Sequence, residues 1–245
     1  MKLLLNGCSY AHLFKPDRLD LLAKNLNLYS GINLGVPGSC NTRIFRSTTE
    51  YLSKNKDVGM IIIFLSFYHR GEGSWAEKMD PYDHNWISYS GNGLNRADLL
   101  DTKFYSIDSI EKFVQDRYRY MGKFEEQQRL LFELVWFKKW LDSTNIPYIL
   151  LNTCDSFAGL VEPYGSIVDA HLSEFYNDRR IFDLKKFMLN QWFFDNGFRG
   201  SDQEINDFKS RGIEPSPIWI HYQNDAFDYF SEFLTNYIKE HKILE

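Results

Sequence analysis

Two side chains at opposite ends of the chain have the types that acyl transfer needs. Ser9 follows Met1-Lys-Leu-Leu-Leu-Asn6-Gly-Cys8, and His221 stands just before an amphipathic terminal segment. A hydroxyl attacks an acyl carbon when a base within hydrogen-bond reach takes its proton and donors face the oxygen that becomes negative. Ser9 is therefore the candidate nucleophile and His221 the candidate base. The competing readings are ordinary: Ser9 as a helix N-cap or turn residue, His221 as a solvent-facing residue beside a helix. The amides of Ser9 and Gly38 are candidate oxyanion donors, since glycine allows close backbone approach to a ligand. Asn41 is either a third donor or the N-cap of a helix beginning at Thr42. Arg70 either clamps a carboxylate or phosphate with its planar fork or pairs with Glu72. Cys8 reads as a small buried thiol. Asp80, Asp83, His84 and His69 are metal-compatible types without a recognised ligand spacing, so no metal is expected. Neither a Gly-x-Gly-x-x-Gly fingerprint nor a phosphate loop is present, so no cofactor is expected.

The elements that must hold these residues follow from periodicity. Short apolar runs at Leu3–Leu5, Ile32–Leu34, Met60–Ser66 and Ile146–Asn152 read as buried strands, the third being rich in β-branched residues and uncharged throughout. Between them, 16–28, 42–54 and 108–142 carry helical spacing, the last divisible into two helices near Gly122. Further on, 169–176 and 185–194 read as helices, 180–184 as a short fifth strand, 195–217 as a surface loop and 225–241 as a terminal helix striped with Phe227, Phe230, Phe233, Leu234 and Ile238. Strands alternating with helices predict a parallel sheet between helix layers, a single domain over 1–245. Ser9 and Arg70 then lie past the carboxyl ends of strands, where open α/β sheets bind ligands. From about 67 to 107 the periodicity fails and Trp75, Tyr82, Trp86 and Tyr89 cluster among glycines, which reads as an inserted substrate lid or, equally, as a satellite core.

Composition narrows the function classes. A net charge of −5 without a basic run gives no footprint for duplex nucleic acid. The absence of a signal-like leader or a membrane-length apolar run, with three widely spaced cysteines, points to a cytoplasmic protein with reduced thiols. Fifteen Tyr, 20 Phe and 6 Trp supply a bulky core or stacking faces for sugars, bases or protein partners.

Taken together, Asn6-Gly-Cys-Ser9, Asn33-Leu-Gly-Val-Pro-Gly38 and the lone His221 before a terminal helix resemble the ordered sequence blocks of the SGNH (GDSL-type) hydrolases. Gly38-Ser-Cys-Asn41-Thr-Arg43 and Ser66-Phe-Tyr-His-Arg70-Gly-Glu72 resemble a divergent branch often encoded by bacteriophages. The resemblance implies a flavodoxin-like three-layer α/β/α sandwich, Ser9 as nucleophile, Gly38 in the oxyanion hole and His221 as base. It implies cleavage of an ester or related acyl bond in a small-molecule or glycan substrate, with acyl transfer to another hydroxyl as an alternative. Three positions depart from the family pattern. Cys8 stands where an aspartate is usual, no Gly-x-Asn-Asp follows the strand at 60–66, and Ile218 occupies the place of the acid three residues before the histidine. Without that acid, a backbone carbonyl, Glu214 or Asp202 is left to orient the imidazole. The same gap leaves open a binding protein that holds a small anionic or glycan ligand without turnover.

Overall fold

A computed structural model describes residues 1–67, 70–73, 87–90, 93–94, 106–120, 123–153, 175, 177–184, 186–216 and 220–245. In chain order it contains β1 (Lys2–Gly7), α1 (Ser9–His12), α2 (Pro16–Asn25), β2 (Ser30–Asn33), α3 (Asn41–Lys54) and β3 (Val58–Leu65). There follow β4 (Gly71–Gly73), β5 (Ile87–Ser90), β6 (Gly93–Leu94), α4 (Ile107–Tyr120), α5 (Lys123–Thr144) and β7 (Tyr148–Asn152). The remaining described elements are α6 (Leu189–Asp195), α7 (Asp202–Ser210) and α8 (Asn224–Glu240).

Strands β2, β1, β3 and β7 form a parallel sheet in that order. A parallel bridge between Leu150 and Ile181 adds one further rung beside β7, in place of the strand expected over 180–184. Reversal of strand order at β1 opens a crevice between β1 and β3 at their carboxyl ends, the position where doubly wound sheets bind ligands. Because successive strand residues point to opposite faces, the uncharged runs feed two cores. Leu3, Leu5, Met60, Ile62, Phe64, Ile149 and Leu151 pack with Leu19 and Leu22 of α2 and Phe227, Phe230 and Leu234 of α8. Leu4, Ile61, Ile63, Leu65, Tyr148 and Leu150 pack instead with Ile44 of α3 and Leu130, Leu134 and Phe137 of α5. The chain is thus a three-layer α/β sandwich, as the strand-helix alternation predicts.

Asn6 locks the middle layer to one outer layer. It is fully buried; its Nδ2 donates to Ile44 O, Ser47 Oγ and Thr48 Oγ1 at 3.0, 2.9 and 2.8 Å, and its Oδ1 accepts from Gly7 N at 2.8 Å. Replacing it removes four buried hydrogen bonds at once, while the Ser47 and Thr48 hydroxyls keep their bonds to Arg43 O and Ile44 O. Asn6→Ala is expected to lower unfolding stability by about 2–3 kcal/mol. In a urea melt this appears as a lower midpoint at unchanged slope. A loss under about 0.5 kcal/mol would mean that these bonds add nothing.

Several expectations are corrected. Residues 195–217 are not a continuous loop, since α7 occupies their centre. This helix has no buried residue, so the apolar stripe that marks packed helices is missing from its sequence. Helix α3 begins at Asn41, one residue earlier than expected, and its N-cap is Cys40, whose Sγ accepts from Arg43 N at 3.4 Å. Tyr89 follows the satellite-core reading of its segment: it is buried at 5% exposure in a small core with Ile87, Ile110 and Val114. That core joins the antiparallel β4-β5-β6 sheet to α4. Trp75, Tyr82 and Trp86, Cys154, the metal-compatible set 69, 80, 83 and 84, and the helix expected over 169–176 apart from Phe175 lie outside the described residues. Among the described residues, no helix is long and apolar enough to cross a membrane.

Candidate active site

Ser9 is delivered by a strand-to-helix turn. Strand β1 ends at Gly7, Cys8 turns inward to zero exposure, and Ser9 opens the single-turn helix α1 half-buried at the sheet edge. As the first helical residue, its N–H has no intrahelical acceptor. Cys8 lies 3.6 Å from Thr153 Oγ1, and that hydroxyl donates to Leu65 O at 2.6 Å, so the neighbouring thiol belongs to the packing between β1, β3 and β7.

The turn Val36-Pro37-Gly38-Ser39 stands beside the end of β1. Val36 N donates to Gly7 O at 3.2 Å, and Ser39 N closes the turn onto Val36 O at 3.2 Å. Proline at the second position and glycine at φ 77° at the third are the requirements of a type II turn. A side chain at Gly38 would strain that left-handed conformation. The closing bond uses the amide of Ser39, which leaves the Gly38 amide unused by the turn. Ser39 Oγ also donates to Val36 O at 2.6 Å and accepts from Arg43 Nη1 at 2.8 Å, so the loop is braced before any ligand arrives.

His221 meets Ser9 across the fold, with Nε2 2.8 Å from Ser9 Oγ. On its other side, Nδ1 lies 2.7 Å from Glu204 Oε1, while Glu204 Oε2 accepts the His221 backbone N–H at 2.7 Å. An ionised carboxylate only accepts hydrogen bonds, so Nδ1 carries the ring proton and Nε2 is left to accept from the Ser9 hydroxyl. The segment bearing the histidine is itself anchored. Ser201 N donates to His221 O at 2.9 Å, Tyr10 Oη donates to Ile220 O at 2.6 Å, and the Tyr10 ring lies 5.2 Å from the imidazole. An antiparallel bridge between Gly200 and Tyr222 brings the start of α7 alongside, and any side chain at position 200 would collide with Ile220.

Glu204 is the site residue that the sequence reading missed. Asp202 and Glu214, the acids considered there, are exposed, and neither hydrogen-bonds His221 among the described residues. One signal was present: Ser201-Asp-Gln-Glu204 has the spacing of a capping box, which marks a helix start. The box is not formed, because Ser201 makes no side-chain cap and the Glu204 carboxylate is directed at His221.

Asn41 is engaged at the end of β3, and one of the two readings open for Arg70 is excluded. Both ends of the Asn41 carboxamide engage the end of β3: Oδ1 accepts from Ser66 N at 2.7 Å, and Nδ2 donates to Ser66 O at 2.9 Å and more weakly to Phe67 O at 3.4 Å. The group expected to face an oxyanion thus holds the β3 terminus. Arg70 does not pair with Glu72, whose carboxylate binds Arg46 Nη2 at 2.9 Å. Arg70 Nη1 donates instead to Ser66 Oγ at 3.1 Å.

Cys40 sits beneath the loop with no exposure, and burial pushes its thiol up to about 12. Thiolate is the reactive form. Iodoacetamide at about pH 8, close to the ordinary thiol pKa of ~8.5, is therefore expected to leave Cys40 unmodified in the folded protein and to alkylate it after denaturation. Mass mapping of the peptide reads both states, and rapid modification of the folded chain would contradict the burial.

No family model matches the chain, and no curated protein matches it. Among solved structures it is similar to the crystal structure of an acetyl xylan esterase, AlAXEase, at 11% identity over 98% of this chain and 99% of that chain, with a TM-score of 0.41.

Proposed function

We propose that this chain is a serine hydrolase of SGNH type that cleaves an ester in a small-molecule or glycan substrate. The reading rests on one observation, the unbroken relay from Ser9 Oγ through His221 to Glu204 with contacts of 2.8 and 2.7 Å. Ser9 attacks the ester carbon while His221 Nε2 takes its proton. Glu204 holds the Nδ1–H and stabilises the imidazolium that forms. The negative oxygen of the tetrahedral intermediate lies against the amides of Ser9 and Gly38. Collapse expels the alcohol, protonated by Nε2, and leaves an acyl group on Ser9. Water then attacks that acyl group with Nε2 as base, releasing the acid and restoring the serine. Glu204 supplies the orienting acid whose absence near His221 had favoured a binding-only reading.

A fluorophosphonate probe tests this directly, because it forms a stable adduct only with an activated nucleophile. Intact mass should show one adduct per chain and peptide mapping should place it on Ser9. An unlabelled chain, or an adduct elsewhere, removes the proposal.

A further inference from the structure

Arg70 stands at the sheet edge that carries the proposed nucleophile, and among the described residues no carboxylate compensates its charge. Strands β1 and β3 run parallel with Gly7 opposite Phe64, and Ser9 and Ser66 follow that last rung by two residues each, so both stand at the carboxyl edge of neighbouring strands. The Arg70 guanidinium is tied to that edge by its bond to Ser66 Oγ at 3.1 Å, and Asn41 fixes the Ser66 backbone. Its charged plane lies 4.7 Å from the centre of the Phe67 ring, and Phe67 packs against the core layer that contains Cys8 and Tyr10. The side chain is therefore held at the corner where β1 and β3 part.

Among the described residues, one of its donors lacks a partner. Arg70 Nε is buried without a hydrogen bond, and no carboxylate among the described residues pairs with this guanidinium. Glu72, two residues on, is committed to Arg46. A buried N–H of a charged group left unpaired is costly, and such a group calls for a partner that the described residues do not supply. The planar fork of arginine matches the two oxygens of a carboxylate or phosphate. We infer that Arg70 is the anion-recognising residue of the site and that the ester cleaved carries a carboxylate or phosphate near its scissile bond. This rests on the ester-hydrolase reading and narrows its substrate class.

Matched esters test it. p-Nitrophenyl butyrate is neutral and p-nitrophenyl hemisuccinate places a carboxylate on the acyl side, whereas phenyl acetate and 4-acetoxybenzoate make the same comparison on the alcohol side. One anionic ester should exceed its neutral twin in kcat/KM by about 10- to 100-fold, the range of a charge-assisted hydrogen-bonded pair. Arg70→Gln should erase that advantage through KM, while neutral esters change by less than about twofold and Arg70→Lys keeps part of the preference. Equal handling of each pair by the wild type, or equal loss on both members in Arg70→Gln, overturns the inference. Fluorophosphonate labelling of Ser9 in Arg70→Gln at the wild-type rate separates this outcome from failure of the hydrolase reading. If the wild type cleaves no ester, titration calorimetry with succinate and inorganic phosphate decides. Saturable binding lost in Arg70→Gln supports the anion site, and no saturable binding to the wild type overturns it.

Discussion

Ser9→Ala is expected to reduce ester turnover by about six orders of magnitude, the scale seen when the nucleophile of a serine protease is removed. In the proposed mechanism the hydroxyl forms the bond that carries the acyl group, and Cys8 is buried against Thr153 and is no substitute. Covalent labelling should disappear from Ser9→Ala and persist in Cys8→Ala. Stability should barely change, because Ser9 is half-buried at the sheet edge and loses only its contact with His221. Steady-state kinetics with a matched thermal melt measures both. A residual rate within about tenfold of wild type would remove Ser9 from the chemistry, and a large fall in melting temperature would make the loss a folding effect.

Glu204→Gln is expected to lower kcat by about three to four orders of magnitude, in line with the cost of the equivalent amide substitution in a serine protease. His221 presents two donors, its backbone N–H and Nδ1–H, and the two Glu204 oxygens accept one each at 2.7 Å. A carboxamide has only one oxygen. If that oxygen takes the backbone N–H, the amide NH2 faces Nδ1 and moves the ring proton to Nε2, where it can no longer accept from Ser9. If it takes Nδ1–H, the NH2 opposes the backbone N–H and displaces the segment. Either arrangement damages the relay while leaving substrate contacts intact, so KM should change little. Asp202→Asn and Glu214→Gln should retain wild-type kcat. A loss below about tenfold in Glu204→Gln, or an equal loss in Asp202→Asn, would reassign the orienting acid.

The residues whose types announce chemistry were legible because their signals are local. Ser9 follows a short apolar run that ends at the sheet edge, and Pro37-Gly38 encodes a turn that admits a positive φ. The uncharged stretch now seen as Val58–Leu65 required burial on both faces and so placed a strand at the centre of the sheet. For Tyr89 the sequence left two readings open, because an aromatic ring beside glycines looks the same whether it meets a ligand or, as here, Ile110 and Val114 on another element.

By itself, then, the sequence determined the alternation of strands and helices and the two-faced core, since each depends on patterns spanning a few neighbouring residues, and it offered Ser9 and His221 as candidates by residue type and resemblance. Tertiary structure alone decided which acid serves His221, where Asn41 points and what Arg70 lacks. Glu204 lies 17 residues from His221 on a helix without buried residues, and the pairing of Gly200 with Tyr222 and of Ser201 N with His221 O brings the two together. Asn41 reaches Ser66 across 25 residues because α3 starts beside the end of β3, and Glu72 is taken by Arg46, 26 residues away. Hydrogen bonds are short and directional, so their partners are settled by the packing of elements distant in the chain, which local periodicity does not encode.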